Sequence, residues 1–407
     1  MADNNTIRLK TSKGVGAMLG AAFGDALGWP NERIAKSNAS KQTQGRLHDF
    51  KRWTRRSGGR FFPHEEIIEE GGYSDDTQLI LCLSRSLLKG EAWWEHFTQV
   101  ELPFWSVYER GGGGATKRAV ESWLDGVAPW SANRKPQDVK RYYEAGGNGV
   151  AMRVLPHVLR LGEKEFPRIA TNIFLDGIAT HGHPRALLGA LAYGFALWAA
   201  FRKDSKLAYG ELVEELIKSV DHWSALPATP NIPPEWRSQA EKSLQDYMKL
   251  WESAKAEVME YLEVCRAELS KGALSLDDDV LKKLQCFNSK ISGAGTVAAI
   301  SSVYLASRHA ADPINGVVKA AFAIGSDTDT IASMTGGLLG CINGSDWLSP
   351  VKQGIQDAAY IEKNAFRLAN GHIDDKPTHG VVKRSLLKNW VDEVVIAPDS
   401  SEVSLPD

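Results

Sequence analysis

The sequence predicts an all-α protein. Apolar residues recur at helical spacing through most of the chain, as in Leu79, Ile80, Leu83, Leu87 and Leu88. Alternating apolar and polar residues, the mark of a half-buried strand, are scarce. Three Gly/Ala-rich stretches, beginning at Gly14, Ala186 and Ile291, have the texture of closely packed helices.

A chain of 407 residues can bury one large core or two modest ones. Its 48 basic and 50 acidic residues nearly cancel, which argues against bulk nucleic-acid binding. Cys82, Cys265, Cys286 and Cys341 are far apart and form no C-x-x-C pair, so they read as buried thiols of a reducing compartment. The start, Met1-Ala2-Asp3-Asn4-Asn5, lacks the apolar stretch of a signal peptide. The apolar run Ala186–Phe201 has about sixteen residues, short of the roughly 18 that suggest a membrane span. A cytoplasmic protein with no membrane partner is expected.

Taken in order, the chain opens with a helix over Gly14–Gly28 that carries glycines at 16, 20, 24 and 28. Glycines four apart share one face, where another backbone can approach closely. Each costs about 1 kcal/mol against Ala in a helix, so four in register need a packing reason. The turn Trp29-Pro30-Asn31-Glu32 follows, bearing one carboxylate. Residues 33–70, basic and then acidic, read as a surface excursion with little regular structure, a solvated loop or a flap beside a site.

Gly71-Gly72-Tyr73-Ser74-Asp75-Asp76-Thr77 then opens an apolar helix. Two glycine-rich loops lead into further helices: Arg110–Thr116, with Gly111, Gly112, Gly113 and Gly114, and Ala145–Arg153, with Gly146, Gly147, Asn148 and Gly149. Such loops present backbone N–H groups and a positive dipole end to phosphates, but each alone is a weak signal. Neither has a Walker or Rossmann pattern or a strand before it, which argues against nucleoside-triphosphate chemistry. Neither holds Lys or Arg before Lys117 and Arg153, so backbone is expected to do most of the ligand recognition. Thr180-His181-Gly182-His183-Pro184 adds two imidazoles ahead of the Arg185–Phe201 helix, as a helix cap or as a ligand contact.

Residues 203–290 break the pattern. Pro227, Pro230, Pro233 and Pro234 interrupt it, and Leu244 to Leu269 form an amphipathic stripe ending near Gly272. This segment reads as an inserted helical arm, peripheral to the functional cleft, within a single domain spanning 1–407. The tail holds a short strand at Val394-Val395-Ile396.

Chemistry concentrates in Ala323–Gly337, where Ser326-Asp327-Thr328-Asp329-Thr330 sits between an apolar run and a small-residue run. Asp, Ser and Thr favour helix N-caps, which places these carboxylates at the mouth of a helix beginning near Thr330. An ordinary cap with an extra Asp is the plain alternative. The Ser74–Thr77 cluster shifts the balance: two such caps meeting in space bring together four carboxylates and several hydroxyls. That charge needs a hard, oxygen-seeking cation, Mg²⁺ or Mn²⁺ and not zinc, because neither stretch contains His or Cys.

In order along the chain, Gly24-Asp25-Ala26-Leu27-Gly28 with Glu32, Ser74–Thr77, Gly111–Thr116, Gly146–Arg153, Thr180-His181 and Gly325–Thr330 resemble the ADP-ribosylglycohydrolase family. The match runs over 14–345 and leaves out roughly 203–290. The resemblance implies a compact multi-helix bundle around a central cleft holding two divalent cations, Mg²⁺ or Mn²⁺. By position it makes Ser74, Asp75, Asp76, Asp327, Asp329 and Thr330 the metal ligands, with Glu32 nearby. It lays ADP-ribose against Gly111, Gly112, Gly113, Gly114, Thr116, Gly146, Gly147, Asn148 and Gly149, with His181 close by. Two features depart from the family: Ala145 stands where many relatives carry Ser, and the first loop has no acidic residue, Glu109 being the nearest.

The implied reaction cleaves the glycosidic bond between ADP-ribose and a modified protein or nucleic-acid acceptor, through an oxocarbenium-like state. Glu32 or Asp76 would handle the proton. Other readings are an immunity protein that neutralises an ADP-ribosylating toxin partly by binding it, a catalytically silent structural relative, and, more distantly, a metal phosphohydrolase.

Overall fold

The computed structural model of the protein describes residues 4–32, 34, 48–57, 63–227, 232–374, 380–396 and 403–404. The fold is all-α, organised on an antiparallel pair of helices, Asn4–Gly28 and Thr328–Asn343. The glycine stripe is the reason they pair. A Cβ on Gly20 would lie 2.3 Å from the Gly336 carbonyl oxygen, and one on Gly336 would lie 1.9 Å from that of Gly20. Gly24 faces Ala332 in the same way, Gly28 faces Thr328, and Gly16 faces Gly344. Backbone thus meets backbone along the whole seam, and no Cβ fits between. Gly336→Ala is therefore expected to cost about 3 kcal/mol of stability, the upper end for overpacking a core, measured by urea unfolding. A loss below half a kcal/mol would mean the seam can open freely.

The antiparallel register has a functional consequence. It carries the end of the first helix, with Asp25 and the Trp29–Asn31 turn, to the start of the Thr328 helix. The Thr328 hydroxyl seals the junction by donating to the Gly28 carbonyl at 2.9 Å.

Helices Pro184–Arg202 and Gly295–Arg308 pack on this pair and on each other. They also touch through glycine, for a Cβ on Gly189 would lie 2.3 Å from the Gly295 carbonyl carbon. Tyr193 crosses to the Thr328 helix, donating to the Met334 carbonyl at 2.8 Å. The Pro184 helix, at 19 residues, is long and apolar enough to cross a membrane, more so than the sequence count suggests. Here 83% of its most apolar window is buried inside the fold, so its apolar surface serves the core.

Residues 203–290 form helices at Glu211–Lys218, Val220–Ser224, Pro234–Ser243, Tyr247–Leu269 and Asp277–Lys283. Leu212, Trp223, Trp236, Trp251, Val258 and Leu262 are buried in the same contiguous core as the central helices. The four cysteines are free and buried.

The excursion after Glu32 holds more regular structure than expected. Trp53–Ser57 and His64–Ile68 pair as an antiparallel hairpin, with Arg55 opposite Glu66 and Arg56 opposite Glu65. Both pairs form ion pairs, at 3.1 and 3.0 Å. The basic block and the acidic block of the sequence are thus cross-strand partners. Residues 35–47 and 58–62 lie outside the described part. Val395–Ile396 pairs with Val403–Ser404, in keeping with the short strand read in the tail.

Candidate active site

The site is built from three sets of groups: two acidic helix starts, two glycine loops and one histidine. The first helix start is fixed by Asp25, a fully buried residue. Its Oδ1 accepts from the Ser74 backbone N–H at 3.0 Å; its Oδ2 accepts from the Thr77 N–H at 2.9 Å and the Thr77 hydroxyl at 2.7 Å. First-turn N–H groups have no partner within their own helix. Here another helix supplies one, pinning the Asp75–Leu87 helix to the N-terminal helix. Burial drives the Asp25 carboxyl above its ordinary range even though these hydrogen bonds pull it down. In the sequence Asp25 stands out only as a member of the Gly24–Gly28 motif. An Asp inside a Gly-striped helix face was the available signal, since a buried carboxylate needs donors.

Ser74 is the N-cap, accepting from the Asp76 N–H at 3.3 Å. The second helix starts two residues earlier than expected, at Thr328, with Asp327 as its N-cap. The two starts touch directly: the Thr330 hydroxyl donates to Asp76 Oδ2 at 3.2 Å. Asp75, Asp76, Asp329 and Thr330 are all buried. Burial, with Asp25, Asp75 and Asp327 nearby, raises the Asp76 carboxyl well above the usual range. Asp75 rises through burial, Asp25, Asp327 and Glu109. Asp329 rises through burial, Glu32, Asp327 and Asp76. The carboxylates therefore form a chain of mutual repulsion from Glu32 to Glu109.

Among the described residues no three His, Cys, Asp or Glu side chains converge on one point. The donors nonetheless fit a hard cation. They are all oxygen, and Asp76 Oδ1 is buried with no hydrogen-bond partner, leaving a lone pair that a positive charge would satisfy. Glu32 sits at the exposed end of the chain, following the Trp29–Asn31 turn.

The first glycine loop runs past Asp75. A Cβ on Gly111, whose φ is +96°, would lie 3.0 Å from Asp75 Oδ1. The Gly112 N–H donates to Glu109 Oε2 at 2.9 Å, and a Cβ there would strike Trp105 at 2.4 Å. Gly113 has open space around it and caps the Gly114–Leu124 helix. Gln78 holds the loop in place by accepting from the Arg110 N–H and Trp105 Nε1, each at 3.1 Å.

The second loop is strapped to the start of the Gly295 helix. The Asn148 N–H donates to the Gly293 carbonyl at 3.0 Å, and the Gly295 N–H to that of Gly146 at 3.1 Å. The Asn148 side chain donates to Asp327 Oδ2 at 2.9 Å, joining this loop to the acidic cluster. A Cβ on Gly149 would lie 3.0 Å from His181 Cε1 and 3.3 Å from the Thr116 hydroxyl. Thr116, Gly149 and His181 therefore meet. The two imidazoles divide the work: His183 caps its helix by accepting from the Arg185 N–H, while His181 faces the loop.

A family model of the ADP-ribosylglycohydrolases matches residues 5–378. The chain belongs to the ADP-ribosylglycohydrolase family. The match includes residues 203–290, which the sequence resemblance left out. The chain is 25% identical to the uncharacterized protein YegU of Escherichia coli K12, over 86% of its own length and 93% of that protein. It is also 25% identical to the ADP-ribosylarginine hydrolase Tri1 of Serratia proteamaculans, over 46% of each chain. A solved structure described as an ADP-ribosylglycohydrolase-related protein complex shares the fold, with a TM-score of 0.54 and 20% identity. That likeness covers 90% of this chain and all of the other.

Residues 203–290 reach the elements that flank the second loop. The Tyr247 hydroxyl donates to the Gly182 carbonyl at 2.9 Å, beside His181. Glu257 accepts from Arg185 at 2.6 Å and from the Thr296 hydroxyl at 2.6 Å, clamping the starts of the two helices that flank the second loop. Arg118 is a further residue at the site, four positions beyond Gly114. It is exposed, and its Nη1 would come within 3.0 Å of a Cβ on Gly114, so a basic side chain does stand at the first loop. Lys117 is paired with Glu109 at 2.6 Å, and Arg153 is fully buried.

Proposed function

We propose that the protein is a cytoplasmic, divalent-cation-dependent hydrolase that cleaves the glycosidic bond between ADP-ribose and a modified acceptor. The observation that carries this is the hydrogen bond from Thr330 to Asp76, which joins the two acidic helix starts within reach of both glycine loops. Asp75, Asp76, Asp327 and Asp329, with the Ser74 and Thr330 hydroxyls, would hold two cations, Mg²⁺ or Mn²⁺. When bound, these would neutralise the cluster, orient the ribose hydroxyls and lower the pKa of a water.

The chain's own groups do the rest. Backbone N–H groups at Gly113–Thr116 and at Gly146, Gly147 and Gly149 bind the pyrophosphate, aided by the dipole of the 11-residue Gly114–Leu124 helix. Arg118 adds positive charge at the rim. The carboxylates favour the positive charge that builds on the ribose in the transition state. Glu32 and Asp76 were both candidates to move the proton. Asp76 is buried and tied to Thr330, whereas Glu32 is exposed, so Glu32 is assigned the exchange with solvent. The free, buried cysteines accord with a reducing compartment.

The acceptor is tested directly. The protein is incubated with ADP-ribosylated arginine, ADP-ribosylated serine peptide and ADP-ribosylated nucleic acid, in Mg²⁺ or in EDTA. Free ADP-ribose is expected from at least one substrate in Mg²⁺ and from none in EDTA. No release from any of the three in Mg²⁺ or Mn²⁺ would leave the fold without this activity. ADP-ribosylated arginine comes first, because Tri1 is described as an ADP-ribosylarginine hydrolase.

A further inference from the structure

Beneath the second loop lies a buried charge network that the proposed chemistry does not use. Arg153 is completely buried in the turn that follows Gly149. Its Nε donates to Asp176 Oδ1 and its Nη2 to the Asp176 carbonyl, each at 2.9 Å. Its Nη1 donates to the Gly149 carbonyl at 2.6 Å, and its guanidinium lies over the Phe97 ring at 5.4 Å. Nη2 also donates to the Thr180 hydroxyl oxygen at 2.9 Å, and that oxygen lies 2.8 Å from His181 Nδ1. Burial alone would raise the Asp176 carboxyl, but Arg153 and His157 reverse this and hold it below the usual range. Arg153 therefore stays protonated, held opposite the ionised Asp176 carboxylate.

We infer that Arg153 and Thr180 are positioning residues that fix His181 as an Nε2–H hydrogen-bond donor aimed into the Gly147–Gly149 loop, where it meets an anionic oxygen of the bound ligand. This rests on the reading of that loop as part of the ADP-ribose site. The argument is one of donors and acceptors. A guanidinium has only donors, so the Thr180 oxygen accepts from Arg153 and keeps its own hydrogen to give. The partner within reach is His181 Nδ1, which then acts as an acceptor. A neutral imidazole with an accepting Nδ1 carries its one hydrogen on Nε2.

Nε2 points where a ligand is needed. It lies 3.4 Å from a Cβ built on Gly149 and 3.9 Å from one built on Gly147. The ring stays neutral because burial, then the charges of Arg153 and Arg118, push its pKa down to about 3. His181 therefore works as an oriented neutral donor and not as an imidazolium. The same guanidinium holds the Gly149 carbonyl, so one buried group sets both the loop and the imidazole that faces it.

The test reads the tautomer directly, by long-range ¹H–¹⁵N NMR of His181 in the full-length protein without ligand. Wild type and Thr180→Ser are expected to show the Nε2–H form. Thr180→Val, of similar volume but without the hydroxyl, is expected to populate Nδ1–H. ADP-ribose titration is expected to show Thr180→Ser binding like wild type and Thr180→Val binding about tenfold more weakly, the value of one hydrogen bond. An Nδ1–H ring in wild type would overturn the proposal without any variant, as would a folded Thr180→Val that keeps a pure Nε2–H ring. If the tautomer responds as expected while wild type binds no ADP-ribose, the relay stands and the ligand reading falls.

Discussion

Asp329→Asn is expected to raise the melting temperature of the protein in EDTA and to remove most of the rise that Mg²⁺ gives the wild type. The two effects have opposite signs and one cause. Without a cation, Asp329 is buried among Glu32, Asp327 and Asp76, and its carboxyl is pushed well above the ordinary range. A carboxyl whose folded pKa exceeds its unfolded one contributes stability below the unfolded value and loses it as pH rises through the folded one. At neutral pH the charge is therefore a liability, and Asn relieves it. The gain over wild type in EDTA should grow with pH and vanish below about pH 4. On the proposed reading, a bound cation takes the same carboxylate as a ligand. A metal that binds only the folded state adds about 2.7 kcal/mol at one hundred times its Kd, and the variant loses much of this. Turnover should fall by more than about 100-fold, beyond the loss usual for a residue that only supports a ligand. Melting curves that coincide with wild type in both buffers would refute the metal assignment.

The second large effect is expected from Gly147→Val, which should weaken ADP-ribose binding by more than about tenfold, since each charge-assisted hydrogen bond is worth 1.5–3 kcal/mol. The substitution suits the purpose because a Cβ fits at this position. A Cβ at Gly147 would meet the Gly293 oxygen at 3.6 Å and His181 Nε2 at 3.9 Å, both ordinary contacts. Gly112→Val would not serve, because its Cβ would collide with Trp105. Isothermal titration with ADP-ribose is the measurement. A folded Gly147→Val that binds like wild type would reduce the loop to a strap for the Gly295 helix.

What could be read from the sequence was local. The glycine stripe at 16, 20, 24 and 28 and the acidic clusters at 74–77 and 326–330 each announce a helix face or a helix start within a few residues. What escaped was non-local. Asp25 serves N–H groups at Ser74 and Thr77, and nothing near Asp25 names that partner. The hairpin was hidden because its two strands are polar, and the pairing of Arg55 and Arg56 with Glu66 and Glu65 emerges only when the blocks are folded onto each other. Residues 203–290 looked peripheral because their composition differs from the Gly/Ala core. Tyr247 and Glu257 reach Gly182 and the helix starts beside the second loop from helix positions that read as an ordinary amphipathic face. In the sequence Arg153 is simply the first basic residue after the second loop. Its burial, and with it the link to Thr180, depends on Asp176 in another helix.

The claim that the two acidic helix starts act as one metal centre is tested most directly by anomalous scattering from Mn²⁺-soaked crystals. Two peaks about 3.5–4 Å apart are predicted, within bonding distance of Asp75, Asp76, Asp327 and Asp329. Manganese found only at surface carboxylates, with none at Asp75, Asp76, Asp327 or Asp329, would contradict the account.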